Sequence, residues 1–314
     1  MADWPGELSP CDLALLSAMT TTMSIKMPSK IEKTIEEMPA ISPVVNKLTE
    51  MARDIDASPL DLVKVIMIDP VLTAKVIRLV NTAFYGLAQR VRSLNEAVIL
   101  LGVNTVKNLA MYTSILDKVV IHEKKLPLDG GEFWRHCLAT AVASKMLAKR
   151  QGVPSEKLET YFMAGLLHDL GKVLYLKAVP DIYQVVLTES QCLGVSLCFS
   201  EIAHFGFSHA DLGGLLARKW ILDPMLVEVI EQHHAPDMAH LESHLVKIVI
   251  VADNLCKQAQ LGQSGNPVME EGSEDLIGKL NIPEASLQPI VEQLPHELEK
   301  ASEFLNPGKE VAPS

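Results

Sequence analysis

Ala164-Gly165-Leu166-Leu167-His168-Asp169-Leu170-Gly171-Lys172 puts an adjacent histidine and aspartate at the end of an apolar helical run. Burying such a pair is costly unless something satisfies the ring nitrogens and the carboxylate. A metal ion does both, because imidazole and carboxylate are each donors to it. Gly171 reads as the residue that terminates the helix.

Other histidines and acids fall at helix ends or on inner faces around this stretch. Phe133-Trp134-Arg135-His136 opens a helix, and Glu132 stands one turn earlier, on the same face as His136. Ser208 reads as the cap of a helix whose first residue is His209, and His233 and His234 end the next one. Asp253 sits in Val251-Ala252-Asp253, within the last strongly apolar helix. Taken singly, His136 reads as a helix-surface residue, Asp253 as a helix-face carboxylate, and His233-His234 as C-terminal caps. Taken together and in order, Glu132, His136, His168, Asp169, His209, His233, His234 and Asp253 are candidate metal ligands on successive helices. Facing helices that supply His and carboxylate side chains are how bundles build metal sites. The mixed donor set favours divalent transition metals, two ions of Fe or Mn with Zn as an alternative, over Mg. Lys172 adds positive charge to a pocket that would attract phosphate and activate water. His122, His204, His240, His244 and His296 fit no position in this set and read as surface histidines.

Apolar residues recur at helical spacing through Val44, Val45, Leu48 and Met51, and again through Leu60, Leu62, Val63 and Ile66. Ser58-Pro59 and Asp69-Pro70 read as helix starts, a capping side chain followed by proline at the first helical position. Further helices are expected at about 70–82, 94–101, 103–120, 131–150, 156–169, 179–190, 208–219, 223–234, 242–260, 273–280 and 284–303. Val249, Ile250 and Val251 are β-branched but lie inside a helical pattern, so the fold class is all-α. The expected divisions are a lead-in with a short helix over 1–37, an N-terminal helical half over 38–123, and a metal-binding helical core over 131–260. A flexible loop over 261–272, C-terminal helices over 273–306 and a disordered tail over 307–314 complete them. Pro127 and a Gly pair mark the boundary between the two halves.

The net charge of −11 argues against a nucleic-acid partner, since phosphate binding needs clustered Lys and Arg. Lys145, Lys149 and Arg150 read as a solvated helix face. No apolar run reaches the roughly 18–20 residues a bilayer span needs, so no membrane partner is expected. The beginning of the sequence lacks a basic n-region, and the five cysteines form no CxxC pair. Both features point to a cytoplasmic protein with reduced thiols, with Cys137 and Cys256 as buried structural ones.

The stretch from Met38 to Thr113 resembles the N-terminal half of the HDOD domain, a bacterial HD-related output domain. The resembling residues include Met38-Pro39, Asp69-Pro70-Val71-Leu72, Val80-Asn81-Thr82-Ala83-Phe84-Tyr85 and Ala97-Val98-Ile99-Leu100-Leu101-Gly102. From Phe133 to about Ala259 the chain is similar to the HD/PDEase-like helical core. The resemblance implies a helical bundle preceded by an N-terminal HDOD subdomain, and a role in signal transduction. Many HDOD proteins have lost the HD residues, whereas the ligand order here is similar to that of HD-GYP cyclic-dinucleotide phosphodiesterases. That similarity implies catalytic roles for Asp169, as a bridge between two metals, and for Lys172, as a contact to a substrate phosphate. It places Glu132 toward a third ion. The sequence departs from HD-GYP after His234, where Ala235-Pro236-Asp237-Met238-Ala239-His240 replaces Gly-Tyr-Pro. That departure argues against cyclic-di-GMP as substrate.

Two functions follow as expectations. One is a metal-dependent phosphohydrolase acting on a phosphate-containing small molecule or nucleotide. The other is a signalling module, with a structural or sensory metal for which a di-iron pair is one option, that binds a partner protein through residues 42–120. Met19, Met23 and Met27 would add an adaptable apolar surface to it.

Overall fold

Cap-and-proline pairs start the helices where the sequence places them. Ser58 Oγ accepts the Leu60 N–H, and Asp69 Oδ1 accepts those of Val71 and Leu72, with Pro59 and Pro70 at the first turns. The computed structural model describes residues 28–51, 58–119, 126–234, 242–266, 268–269 and 273–305. The N-terminal half contains α1 (Ser29–Glu37), α2 (Pro43–Met51), α3 (Pro59–Met67), α4 (Pro70–Val80), α5 (Leu94–Leu101) and α6 (Val103–Val119). After it come α7 (Gly130–Arg150), α8 (Leu158–Leu167), α9 (Lys172–Ala178), α10 (Pro180–Leu193) and α11 (Leu197–Phe205). The remaining helices are α12 (His209–Lys219), α13 (Pro224–Gln232), α14 (His244–Gln258), α15 (Ser273–Lys279) and α16 (Glu284–Ala301). Among the described residues there is no strand, and the fold is all-α. None of the described helices is long and apolar enough to cross a membrane. The lead-in methionines, His122, His240 and the tail 307–314 lie outside the described residues.

At the centre is α7, packed against α8, α14 and α16. Its buried face is built largely of small side chains, among them Ala139, Thr140, Ala141, Ala143 and Ser144. Facing them on α8 is Gly165, where a Cβ would lie 2.6 Å from the Thr140 carbonyl oxygen. The two helices therefore meet almost backbone to backbone. The rings of His136 and His168, carried by α7 and by the residue after α8, sit 5.6 Å apart as a result.

The N-terminal half joins this centre through α6, which packs on α4, α5 and α8. The junction corrects the reading of Lys145 as a solvated helix residue. Its ammonium pairs with the buried Glu159 of α8 and lies 4.5 Å from the centre of the Phe84 ring. Only Lys149 and Arg150 of the expected basic face are exposed. His204 is not a surface histidine either, since its Nε2 lies 2.6 Å from the buried Glu189 carboxylate. Cys137 and Cys256 are buried and free, and Cys198 is also free, but Cys192 is disulfide-bonded, which corrects the expectation of five reduced thiols. Residues 261–266, expected to begin a flexible loop, form a packed strap in which Leu261, Ser264 and Asn266 are buried. Two helices, α9 and α11, were not anticipated; the first is apolar on nearly every face and the second exposes Phe199 and Ile202 while burying Glu201.

Removing one member of a buried pair strands the other, so Glu159→Ala should cost about 2–4 kcal/mol in urea denaturation. Lys145→Met combined with Glu159→Leu should recover most of that loss, because both charges then leave together.

Candidate metal centre

Two groups of donors meet between α7, α8, α12, α13 and α14. One contains His136, His168 and Asp253, the other Asp169, His209, His233 and His234; within each, one donor atom per residue lies within 4.8 Å of the others. Asp169 stands between them. Its Oδ2 is 3.3 Å from His168 Nε2, while its Oδ1 is 3.2 Å from His209 Nε2 and 3.5 Å from His233 Nε2. On the other flank, Asp253 Oδ1 is 2.9 Å from His136 Nε2 and 3.9 Å from His168 Nε2.

Backbone contacts decide which ring nitrogen faces inward. A carbonyl only accepts, so His168 Nδ1 must be the donor in its 2.7 Å contact with the Gly165 oxygen. The same logic applies to His233 Nδ1, 2.9 Å from the Ile230 oxygen. In the neutral ring both Nε2 atoms then carry lone pairs, the tautomer a metal ligand needs. Burial, the largest influence, lowers the pKa of His136 and of His234 and brings that of His233 down to about 4. These rings are neutral at neutral pH.

A cation is the group that fits this cluster. His136 Nε2, His168 Nε2, Asp169 Oδ1, His233 Nε2 and Asp253 Oδ1 are all buried without a hydrogen bond. Each such atom costs free energy unless compensated. The two carboxylate oxygens and the Nε2 atoms of His168 and His233 are lone-pair donors gathered around Asp169, and a cation is a group that can satisfy several of them at once. Seven of the eight residues singled out in the sequence are brought together here, and Glu132 is not. Its side chain is 44% exposed, lies 3.8 Å from Arg135, and stands on the wall of a neighbouring cavity. Helical phase did put Glu132 on the His136 face, but one turn outward and at the rim.

Three supporting groups complete the site. Glu201 was missed in the sequence; its Oε2 accepts from His209 Nδ1 at 2.6 Å and from the His209 backbone N–H at 2.7 Å. Its other oxygen accepts from the Tyr183 hydroxyl at 2.7 Å. Burial alone would depress the His209 ring, but the Glu201 carboxylate outweighs it and raises the pKa. Lys172 is 1% exposed, donating to Asp169 Oδ2 at 2.7 Å and to the Ser264 carbonyl at 2.9 Å. Burial would raise the Asp169 carboxyl, yet His168 and Lys172 hold it well below the usual range. Lys257, also missed, sits one helical turn after Asp253 with its Nζ 2.7 Å from Asp253 Oδ2. The only sequence signal for Glu201 and Lys257 was a charge set in a strongly apolar helix.

Gly171 is not a left-handed helix terminator; its φ is −66°. It is instead where the chain after Asp169 touches the start of α12. A Cβ there would lie 1.8 Å from the His209 carbonyl oxygen and 2.6 Å from the Gly213 nitrogen. That contact sets His209 beside Asp169. Gly171→Ala should therefore cost about 3 kcal/mol or more in denaturant unfolding and weaken binding of Co²⁺ read by its visible absorption. Glu201→Ala should leave the fold in place and weaken Co²⁺ binding about 10–100-fold.

Known proteins share this fold. The HDOD domain family matches residues 38–236. An uncharacterized protein of Treponema pallidum is 28% identical over 217 residues, which is 68% of this chain and 40% of that protein, so the chain spans well under half of its length. The crystal structure of an HDOD domain protein of unknown function from Geobacter sulfurreducens superposes with a TM-score of 0.69 at 25% identity, covering 89% of this chain and 97% of that one. A Shewanella amazonensis protein provisionally named a phosphohydrolase superposes with a TM-score of 0.65 at 23% identity, covering 90% and 100%. With a family match over more than half of its residues and an architecture shared with these proteins, the chain belongs to the HDOD domain family.

Proposed function

We propose that this chain is an HDOD signalling protein that keeps a working di-metal site and hydrolyses a phosphoester there. The observation that carries the reading is the set of five buried His and Asp atoms, all without a hydrogen bond, gathered on two sides of the Asp169 carboxylate. His136, His168, Asp169 and Asp253 would hold one ion, and Asp169, His209, His233 and His234 the other. Fe or Mn suits these donors, with Zn as an alternative. Two such ions supply Lewis-acid polarisation of a phosphoryl oxygen and an activated water at neutral pH. The chain's own work is positional. Lys172 keeps Asp169 ionised and fixes its plane, so that one oxygen faces each group. Glu201 aims His209 Nε2 inward and is itself steadied by Tyr183. The provisional naming of the Shewanella neighbour accords with phosphohydrolysis without deciding the substrate.

A second reading keeps the metal but not the turnover. The N-terminal helices expose large apolar side chains, with Ile68 at 73% and Ile99 at 81%, beside exposed Leu60 and Val71. Single exposed apolar residues are ordinary, but several on packed helices suit a protein partner. In that case residues 42–120 bind the partner and the metal biases their conformation.

The full chain loaded with Mn²⁺ or Fe²⁺ should hydrolyse bis(p-nitrophenyl) phosphate or p-nitrophenyl phosphate. His168→Ala and Asp169→Ala should each lose metal and at least about 100-fold of that activity. Full metal loading with no turnover of either compound or of a nucleotide panel would sink the hydrolase reading. Partner capture that needs residues 42–120 and survives Asp169→Ala would then favour the second.

A further inference from the structure

On α14 the Asp253 carboxylate and the Lys257 ammonium stand one helical turn apart, and both are buried. Their contact is lopsided. Lys257 Nζ lies 2.7 Å from Asp253 Oδ2. The other oxygen, Oδ1, has no hydrogen bond and approaches the rings, 2.9 Å from His136 Nε2 and 3.9 Å from His168 Nε2. Asp169 and Lys172 repeat the pattern one helix boundary away. There the ammonium donates to Oδ2 at 2.7 Å, and Oδ1 is left without a hydrogen bond near His209 and His233. Burying an ammonium is costly, and on α14 it is set against one oxygen of one carboxylate.

We propose that Lys257 is a specificity-determining positioning residue. By holding Oδ2 it makes Asp253 a one-oxygen ligand, so that the His136–His168–Asp253 group takes a transition metal and rejects Ca²⁺. The inference rests on the metal reading above and adds to it the residue that selects the ion. Ligand number is the first argument. Ca²⁺ takes about 6–8 oxygen ligands and readily uses both oxygens of one carboxylate. With Oδ2 held by Lys257, Asp253 offers that ion one oxygen where an unheld carboxylate would offer two. Donor type is the second argument. Two of the three side chains in this group are imidazoles, which suit transition metals, whereas Ca²⁺ prefers carboxylate, carbonyl and water oxygens. Charge is the third. The ammonium repels any two divalent cations at this position alike. A transition metal offsets that repulsion through its bonds to His136 and His168, and Ca²⁺ does not.

The test is competition between two probe ions of equal charge on the full chain, with bound Co²⁺ read by its visible absorption and Ca²⁺ added to displace it. Wild type should keep its Co²⁺ at about a hundredfold excess of Ca²⁺, and displacement there would overturn the proposal without any variant. In Lys257→Met, the Ca²⁺ concentration that displaces the first equivalent of Co²⁺ should fall at least about tenfold. Lys257→Gln keeps an N–H donor for Oδ2 without the charge, so its shift should be smaller than that of Lys257→Met. Competition reads the ratio of the two affinities. A lysine that only neutralised charge would change both ions alike when removed, and so would one that only supported the fold; neither moves the ratio. An unchanged ratio in Lys257→Met would therefore overturn the proposal, as would an equal shift in Lys257→Gln or loss of Co²⁺ binding in both variants. Failure of wild type to bind Co²⁺ at all would remove the metal reading itself. Hydrolysis of p-nitrophenyl esters is measured apart from the competition, so failure of the selectivity assignment is distinguishable from failure of the hydrolase reading.

Discussion

The buried carboxylate of Asp169 is the constraint on which the site depends. It lies in the chain between α8 and α9, with His168 Nε2 on one side of it and His209 and His233 on the other. An isolated carboxylate at that depth would protonate or unfold its surroundings. Lys172, one turn later and equally buried, prevents this with an ammonium that also ties down the Ser264 carbonyl. A buried pair of this kind is weak evidence for stability, because desolvation of both charges offsets much of their attraction. Its consequence is orientation: with one face of Asp169 held by Lys172, the lone pairs of the other oxygen have a fixed direction.

Close backbone approaches then bring the remaining donors to that carboxylate. Gly165 lets α8 lie against α7, Gly171 lets the next segment touch the start of α12, and Gly262 lays the strap on α7 beside His136. At all three a Cβ would fall under 3 Å from backbone atoms, a separation that packed interiors do not tolerate. Only at Gly262 does positive φ add a second reason for glycine. The donor cluster is therefore as much a product of glycine placement as of histidine placement.

Much of this was legible in the sequence. Helical periodicity and cap-proline pairs located most helices, and the HDOD-like stretches indicated the family. Seven clustered His and Asp residues were legible because such side chains are chemically conspicuous when they recur at helix ends. What escaped was what periodicity cannot carry. α9 is apolar all round, so no face stands out. α11 is inverted, with Phe199 and Ile202 outward and Glu201 inward, because its buried side chain serves His209 and not the apolar core. Glu132 misled because i and i+4 specify a shared helix face but not depth. Lys145 misled because its partners, Phe84 and Glu159, are remote in sequence.

Lys145 also shows how the two halves of the molecule are mechanically joined. It stands on α7 nine residues after His136, and Glu159 stands on α8 nine residues before His168. At 1.5 Å per residue, each is about 13 Å along its helix from the donor cluster. Between them sits the aromatic end of the N-terminal half, with Phe84 packed on Phe162 at 5.3 Å and on Phe304 at 5.6 Å. The pair that clamps Phe84 and two histidines of the donor cluster, His136 and His168, are thus carried on or directly after the same two helices. Both ends of α7 and α8 thus lie in one close-packed pair of helices, with little free volume between them. The exposed apolar helices α3 and α5 are packed on α6, which contacts α8 directly. A continuous packed route through α6 and α8 therefore joins the N-terminal surface to the donor cluster.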